Sequence, residues 1–189
     1  NNYITYLKFK LNILKIMEIF KTPFKDLLII KSKQFYDNRG YFRELIRETK
    51  IKQKFVFNVV SLSKKNVIRG LHYQGLKPQG KLVSVVKGKI LDVAVDLRKK
   101  SKTYGKHYKI ILSDKNQTSL FIPAGFAHGF ASLDKENIVV YSCTNYRHQK
   151  SEDGILWNDK QLKINWPIKN PIISKKDLIN PSFEHFKND

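Results

Sequence analysis

The chain has 189 residues and carries 36 Lys and Arg against 16 Asp and Glu, a formal net charge of +20 at pH 7. Hydrophobic residues make up 41% of it and aromatic residues 12%, which excludes a disordered chain and is typical of one globular domain with a buried core. The single cysteine, Cys143, excludes an internal disulfide and a cysteine-only zinc site, and it favours a reducing, cytoplasmic location.

The positive charge is scattered along the chain and is not collected in one tail or helix. A field of this sign attracts polyanions such as nucleic acid, anionic membranes or phosphorylated small molecules. Lys, Ile and Asn are all abundant, which indicates an AT-rich coding bias that raises the Lys count wherever solvent tolerates it. The charge is therefore weak support for nucleic-acid binding, and a diphosphate-bearing ligand accounts for it equally well.

Residues 1–16 mix apolar side chains with polar and basic breaks. The apolar run is too short and too interrupted for a membrane span, and no small-residue cleavage site of a signal peptide follows it. Because the only methionine is Met17, the simplest interpretation is a natural start there, with residues 1–16 as an extension that is not native; a real amphipathic arm is the alternative. A single domain is predicted over residues 17–189, since no repeat, low-complexity tract or linker interrupts them.

The pattern after residue 17 predicts β-structure. Short runs rich in Val, Ile, Phe and Tyr alternate with turn residues at the spacing of an all-β sandwich or barrel. The predicted strands cover residues 27–30, 55–60, 67–72, 81–86, 90–97, 108–112, 119–122 and 138–143. Residues 92–98 alternate charged and apolar side chains, which predicts a strand with one wet face, and only residues 37–52 favour a helix.

The last third of the chain predicts an irregular tail. Trp157 and Trp166 lie beside turn residues, and prolines interrupt the segment that follows. Two Trp and several Ile leave water only by packing, so we expect this tail to cover the barrel or a partner subunit.

The first candidate site lies in residues 69–83. His72 ends one predicted strand, Lys81 opens the next, and Arg69 precedes the histidine by three residues. Side chains alternate across a sheet, so a strand, loop and strand can face His72 and Lys81 into one cavity as a base and an anion clamp. A surface hairpin with an unrelated His and Lys is the alternative.

Two further stretches carry candidate groups. Residues 121–130 bracket His128 with a Pro and two Gly, which indicates a tight bend that aims one imidazole at a cavity; a core histidine bonded to a carbonyl is the alternative. Residues 139–146 form a predicted strand with Tyr141 and Tyr146, whose hydroxyls either act chemically or simply find a hydrogen-bond partner.

Together these residue types fit proton abstraction next to a carbonyl. A neutral histidine, with a pKa of about 6.5, is the natural base at neutral pH, and a carboxylate can orient it. A Lys ammonium can stabilise an enolate oxygen, and a Tyr can return a proton from the opposite face. A β-barrel metal site would need a His-x-His pair, an acid and a later His; His72 is followed by Tyr73 and Gln74, so the pattern predicts no metal.

The motifs resemble those of one known family. In order and spacing, the dTDP-4-dehydrorhamnose 3,5-epimerases are similar to this chain over about residues 24–177, at residues 69–74, 79–83, 92–98, 123–130, 157–159 and 164–167. The resemblance implies an all-β, cupin-like jelly-roll barrel with short peripheral helices, usually a homodimer, that needs no metal or cofactor. It implies inversion of C3 and C5 of dTDP-4-dehydro-6-deoxy-D-glucose, giving dTDP-4-dehydro-L-rhamnose in dTDP-L-rhamnose biosynthesis.

The resemblance also implies roles for particular residues. By position, His72 corresponds to the base, Tyr141 to the proton donor and Lys81 to the group that steadies the enolate. Asp177, which in isolation is typical of a solvated loop, corresponds to the carboxylate partner of the base. The implied substrate-binding residues are Arg39, Glu44, Arg69, His128, Tyr146, Glu152 and Lys176.

The chain departs from the family at residues 57–61. The family usually carries a Gln-Asp-Asn-like segment before its Ser, whereas these residues are Phe-Asn-Val-Val-Ser. Phe57 and Val59 would remove hydrogen-bond partners from the cavity wall. Three functions follow from the sequence: the 3,5-epimerase, a 3- or 5-epimerase of a related 4-keto sugar nucleotide, and a non-catalytic sugar-nucleotide-binding module.

Overall fold

The computed structural model describes residues 16–188, so the predicted extension at residues 1–16 lies outside it except for its last residue. The strands are β1 (Met17–Lys21), β2 (Leu28–Ser32), β3 (Gln34–Asp37), β4 (Gly40–Arg43), β5 (Phe57–Lys64), β6 (Ile68–Gln74), β7 (Lys81–Lys87), β8 (Lys89–Asp96), β9 (His107–Ser113), β10 (Thr118–Ile122), β11 (Phe126–Ser132), β12 (Glu136–Cys143) and β13 (Glu152–Gly154). The helices are α1 (Glu48–Ile51), α2 (Lys175–Leu178) and α3 (Phe183–Asn188), and a 3-10 turn covers Gln149–Ser151. Within this described part, no helix is long and apolar enough to cross a membrane.

Two antiparallel sheets pack face to face. The six-stranded sheet has the order β1-β2-β10-β7-β12-β5, and the five-stranded sheet has the order β13-β6-β11-β8-β9. The main apolar core lies between them and draws on both sheets, for example through Val83, Leu120, Ile90 and Phe130. Neighbouring strands that are distant in sequence, such as β10 and β2, confirm the predicted jelly-roll barrel.

The C-terminal segment covers the outer face of the five-stranded sheet. A second buried cluster joins the side chains of Leu91, Val93, Val95, Ile155, Leu162 and Trp166. The indole N–H of Trp166 donates to the carbonyl of Trp157 at 2.8 Å, so its buried polar group has a partner. Of the two places predicted for the tail, the barrel and a partner subunit, the structure shows the barrel.

Strand β8 is buried on both faces, so the predicted wet face is wrong. The core lies on one side of the strand and the C-terminal segment on the other. Its carboxylates are fully buried and therefore need partners. Asp92 lies 2.8 Å from Nε2 of His128, and Asp96 accepts bonds from Arg98, Ser101 and Thr103.

The helix predicted over residues 37–52 is wrong for most of its length. β3 and β4 form a separate two-stranded hairpin, in which Phe35 pairs with Phe42 and Tyr36 with Tyr41. Gly40 takes a φ of +131° at the turn, a conformation that L side chains rarely adopt. Cross-strand aromatic pairing and this turn override the helical pattern, and only Glu48–Ile51 is helical.

The bend predicted around His128 lies earlier in the chain. The turn falls at residues 123–125, where Gly125 has a φ of +86°, and His128 sits inside β11. Its ring therefore has a fixed position on the inner face of a strand instead of the tip of a loop.

We expect Asp96→Asn to lower the free energy of unfolding by about 2 kcal/mol at pH 7. Burial alone would raise the pKa of Asp96, but its bonds to Arg98, Ser101 and Thr103 lower it from 3.8 to about 2. Because the pKa is lower in the folded chain, this stabilisation is complete above about pH 4 and is lost as the pH falls toward 2. Urea unfolding at pH 7 and pH 3 measures both effects.

The control is Asp26→Asn. The Asp26 carboxylate lies 4.0 Å from the same Arg98, but its side chain is 63% exposed. An exposed pair of this kind contributes less than about 1 kcal/mol. Equal losses for the two variants would contradict the assignment of the stabilisation to the buried Asp96 bonds.

Candidate active site

A cavity of about 320 Å³ opens between the two sheets. Residues of β6 and β11 line one side, and residues of β5, β7 and β12 line the other. The structure brings together most of the residues implied by the resemblance: the cavity is lined by His72, Lys81, Tyr141, Arg69, His128 and Glu152.

His72 and Asp177 form a hydrogen-bonded pair at the edge of this cavity. Nε2 of His72 lies 2.7 Å from Oδ1 of Asp177, and Oδ2 of Asp177 accepts the backbone N–H of Gly70 at 3.2 Å. Burial would raise the pKa of Asp177, but His72, Gly70 and Ser174 outweigh it and hold the pKa below its usual value. The ionised carboxylate therefore orients the imidazole and leaves Nδ1 as its basic nitrogen.

A helix cap places Asp177. It lies in the first turn of α2, and its backbone N–H donates to the side chain of Ser174 at 3.1 Å, so the segment that is typical of a solvated loop is a capped helix. A close strand contact fixes the other partner. Gly70 has a φ of +115°, and a Cβ there would lie 2.6 Å from Cα of Gly129, so only glycine lets β6 approach β11 at this point.

Tyr141 projects from the facing sheet. Its hydroxyl lies 3.1 Å from Oγ of Ser61 on β5, and its ring meets His128 edge-on with centroids 6.1 Å apart. Burial raises the pKa of Tyr141 well above its usual value of 10.0, against the opposing effect of Ser61 and Arg69. The phenol is therefore protonated at neutral pH and can donate a proton.

Lys81 lies on the same wall as Tyr141. The strand register places it beside Cys143, and Tyr141 is two residues along β12. Burial lowers the pKa of Lys81, while Cys143, Glu152 and Asp92 oppose the shift. A half-buried ammonium on the wall opposite His72 is suited to stabilise an oxyanion held between them.

The cavity mouth is basic. A second hollow of about 440 Å³ shares Arg69, His72, Arg147 and Glu152 with the first and adds Lys176. Arg147 contacts Glu152 at 2.5 Å, and Nζ of Lys176 lies 3.8 Å from the same carboxylate. Burial would raise the pKa of Glu152, but Arg147, Lys176 and His72 lower it overall. The second hollow holds three basic side chains, Arg69, Arg147 and Lys176, against the two carboxylates of Glu152 and Asp177, which leaves excess positive charge for an anionic ligand.

Three implied substrate-binding residues line neither the cavity nor the second hollow of this chain. Arg39 lies at the β3–β4 turn, 85% exposed and paired with Asp37 at 2.6 Å. Glu44 pairs with Arg47. Tyr146 stacks on Phe57, which does line the cavity, with ring centroids 5.6 Å apart. Arg39 and Glu44 do not line the cavity of their own chain, because the hairpin that carries Arg39 and precedes Glu44 forms its own sheet. Their implied role in substrate binding stays a prediction.

Three residues of the site are not predicted from the sequence. Asp92 supports His128 but lies in the alternating strand that predicted a wet face. Ser61 meets the Tyr141 hydroxyl only because β5 pairs with β12. Arg147 follows Tyr146 in a loop and had no distinguishing pattern. The only signal in the sequence is the strand alternation around Asp92. It does not distinguish a buried carboxylate from an exposed one.

The jelly-roll fold, with a cavity that brings a His–Asp pair together with a Lys and a Tyr, places this chain in the class of cupin-like barrels equipped for acid–base chemistry. In residues 16–188, no group of three or more His, Cys, Asp or Glu is arranged to hold a metal ion.

Comparisons with known proteins define the family. The sequence profile of dTDP-4-dehydrorhamnose 3,5-epimerase matches residues 21–185. The chain is 46% identical to that epimerase of Methanothermobacter thermautotrophicus, covering 83% of this chain and 89% of the relative. It is 45% identical to the Shigella flexneri epimerase, covering 88% and 96%. The crystal structure of the Legionella pneumophila epimerase in complex with dTDP-4-keto-L-rhamnose has a TM-score of 0.85 and 41% identity, covering 89% of this chain and 93% of that one. The chain belongs to the dTDP-4-dehydrorhamnose 3,5-epimerase family.

Proposed function

We propose that this chain inverts C3 and C5 of dTDP-4-dehydro-6-deoxy-D-glucose to give dTDP-4-dehydro-L-rhamnose, on the route to dTDP-L-rhamnose. The observation that carries the proposal is the His72–Asp177 pair on one wall of a cavity and Tyr141 with Lys81 on the facing wall. The family membership and the Legionella relative with its bound keto sugar nucleotide support it.

The first half of each inversion removes a proton. Nδ1 of His72 takes the proton from the carbon next to the C4 carbonyl, and the electron pair of that C–H bond moves to form an enolate. The Asp177 carboxylate stabilises the imidazolium that results, and the Lys81 ammonium stabilises the negative charge on O4. The C4 carbonyl lies between C3 and C5, so one oxyanion contact serves both carbons.

The second half returns a proton from the other side. Tyr141 donates its phenolic proton to the opposite face of the carbon, and the enolate electrons re-form the C–H bond there and the C4 carbonyl. Water then reprotonates the phenolate and accepts the proton held by His72, so no oxidant, reductant or metal takes part. Because the two groups come from facing sheets, the product carbon has the inverted configuration.

The diphosphate of the substrate is proposed to bind at the basic mouth. The exposed Arg69 is held by Ser63 Oγ at 2.9 Å and the Leu62 carbonyl at 3.2 Å. Lys176 lies across the second hollow. The guanidinium of Arg69 and the ammonium of Lys176 suit phosphate oxygens, while His128 and Glu152 contact the sugar.

A homodimer would bring Arg39 and Glu44 to a cavity. The β3–β4 hairpin exposes four aromatic side chains, Phe35, Tyr36, Tyr41 and Phe42, which favours burial against a second copy. Arg39 at its turn would then reach the mouth of the partner's cavity.

Light scattering is expected to give twice the chain mass of 22.2 kDa, with Phe42→Glu shifting it toward one chain. A wild-type monomer would contradict this arrangement.

A cytoplasmic location is likewise our proposal. The free, buried Cys143 supports it, as does a nucleotide-sugar substrate that is made where nucleotides are made. Fractionation of cells expressing the chain with an epitope tag tests it, and recovery outside the cytoplasmic fraction would contradict it.

A second candidate is an epimerase that inverts only C3 or C5 of a related 4-keto sugar nucleotide. Phe57 and Val59 favour it, because they line the cavity where the family usually has polar side chains. Asn58 does not replace the polar side chains missing at residues 57 and 59, because its Oδ1 accepts a hydrogen bond from the Ser142 hydroxyl at 2.6 Å.

The direct test is proton NMR of dTDP-4-dehydro-6-deoxy-D-glucose with the protein in deuterated buffer. Deuterium is expected at both C3 and C5, with dTDP-L-rhamnose formed when a 4-keto reductase and NADPH are added. Dialysis against a chelator is expected to leave both results unchanged. Exchange at one carbon would select the second candidate, and no exchange would refute both.

We expect His72→Ala and Asp177→Asn each to slow exchange at both carbons by at least about 100-fold, the usual loss when general acid–base catalysis is removed. Calorimetry with dTDP is expected to give a Kd within about threefold of wild type, because neither side chain is assigned to the nucleotide. His185→Ala changes an exposed histidine of α3 and serves as the matched control. Full exchange in His72→Ala would remove it from the role of base.

A further inference from the structure

Among the residues that the structure describes, the hydroxyl of Tyr141 has one hydrogen-bond partner, the hydroxyl of Ser61, whose Oγ lies 3.1 Å away. Val59 of β5 pairs directly with Tyr141 of β12, and Ser61 is two residues further along β5. Because side chains alternate along a strand, Ser61 and Tyr141 share one face of the sheet. Both line the cavity, so the serine hydroxyl belongs to the wall that carries the proposed proton donor.

The surroundings of Tyr141 oppose the formation of a phenolate. Burial has the largest effect and raises the pKa of Tyr141, and the charges of Asp92 and Cys143 raise it further. Ser61 and Arg69 lower it, and the hydrogen bond with Ser61 has the larger effect of the two. A phenolate is what remains once Tyr141 has given up its proton, so the donor depends on a group that stabilises this anion. Ser61 is the group in direct contact with the phenolic oxygen.

The direction of this hydrogen bond decides where the phenolic proton points. A phenol has one proton, whereas each of the two oxygens can also accept a bond. If Tyr141 donated to Ser61, its proton would face the serine and not the substrate. If Ser61 donates to Tyr141, the phenolic proton is free to point at a sugar carbon in the cavity. Only the second arrangement is productive for the proposed inversion.

The same bond becomes stronger as the reaction proceeds. Before proton transfer, Ser61 donates to a neutral phenol; afterwards it donates to a phenolate, and hydrogen bonds to an ionised oxygen are roughly twice as strong as neutral ones. An interaction that strengthens toward the transition state speeds the chemical step without tightening substrate binding. Ser61 keeps its own proton throughout, and water restores the phenol as in the proposed mechanism.

We propose that Ser61 is a positioning residue for the proton donor, with its hydroxyl donating to the Tyr141 oxygen, directing the phenolic proton toward the substrate carbon and stabilising the phenolate that forms. The inference rests on the proposed function, since it acts through the donor role of Tyr141. It concerns only the return of the proton, because the removal of the first proton belongs to His72 on the facing wall.

The test substitutes Ser61 by Ala, Thr and Val and follows dTDP-4-dehydro-6-deoxy-D-glucose in deuterated buffer by NMR. Ser61→Ala is expected to lower kcat for inversion about 10- to 100-fold, the range for a lost hydrogen bond to a charged group, with KM changed less than about threefold. Deuterium entry with retained configuration, which needs only the His72 side, is expected to continue. The ratio of exchange to inversion should therefore rise at least about tenfold.

The Thr and Val variants separate the hydroxyl from the shape of the side chain. Both side chains are β-branched and suit a strand, and they differ in a hydroxyl against a methyl group. Ser61→Thr is expected to keep inversion within about threefold of wild type, and Ser61→Val to be as slow as Ser61→Ala. A purely structural role for this position would slow both variants alike.

Ser142→Ala is the matched control. The Ser142 hydroxyl of β12 donates to Oδ1 of Asn58 on β5 at 2.6 Å, so this variant also removes a serine hydroxyl and one side-chain bond between the same two strands. Ser142 pairs with Asn58 one row away from Tyr141, on the opposite face of the sheet. It is expected to leave kcat and the ratio of exchange to inversion at their wild-type values.

The outcomes separate this inference from the proposed function. Inversion at the wild-type rate in Ser61→Ala, equal rates in the Thr and Val variants, or an equal fall of exchange and inversion would overturn the role of Ser61 while leaving the epimerase activity of the wild type in place. A wild-type chain that neither exchanges nor inverts the keto substrate would refute the proposed function itself.

Discussion

The hydrogen bond between His72 and Asp177 joins positions 105 residues apart and depends on most of the fold. His72 is placed by β6, which approaches β11 closely only because Gly70 and Gly129 lack side chains. Asp177 is placed by α2, in a C-terminal segment that stays on the barrel through the apolar cluster around Leu162 and Trp166. The outer layer of the protein is thus a condition for the chemistry inside it.

The second constraint is the facing of the two sheets. A proton can be taken from one side of a carbon and returned to the other only if the base and the acid approach from opposite directions. The five-stranded sheet carries His72, and the six-stranded sheet carries Tyr141 and Lys81. Burial keeps Tyr141 protonated on one wall, and the hydrogen bond to the ionised Asp177 keeps the imidazole of His72 oriented on the other.

The sequence predicted the local features of this arrangement well. The all-β class, the eight predicted strand regions and the joint exposure of His72 and Lys81 to one cavity follow from period-2 patterns and turn residues. The role implied for Asp177 needed the family resemblance, because a carboxylate in a short polar segment carries no local sign of its partner. The structure then supplies the cap at Ser174 that explains its position.

What the sequence could not predict depends on contacts between distant segments. The alternation in β8 predicts a wet face for Asp92 and Asp96, but these carboxylates share the inner face of the strand with Ile90 and Ala94. The C-terminal segment covers the opposite face, which carries Leu91, Val93 and Val95. The hairpin at residues 34–43 depends on the pairing of aromatic side chains across a turn at Gly40, which a helical pattern hides. Neither Ser61 nor Arg147 is distinguished before β5 and β12 are paired and the loop after them is placed.

The most direct test of the two-wall account is the Tyr141→Phe variant with dTDP-4-dehydro-6-deoxy-D-glucose in deuterated buffer, followed by NMR for both deuterium content and configuration. With His72 intact and the donor on the facing wall removed, deuterium is expected to enter at C3 and C5 from the His72 side. The configuration should be retained, and inversion should be slowed at least about 100-fold. Inversion at the wild-type rate would contradict the account, since the proton would then reach the opposite face without Tyr141.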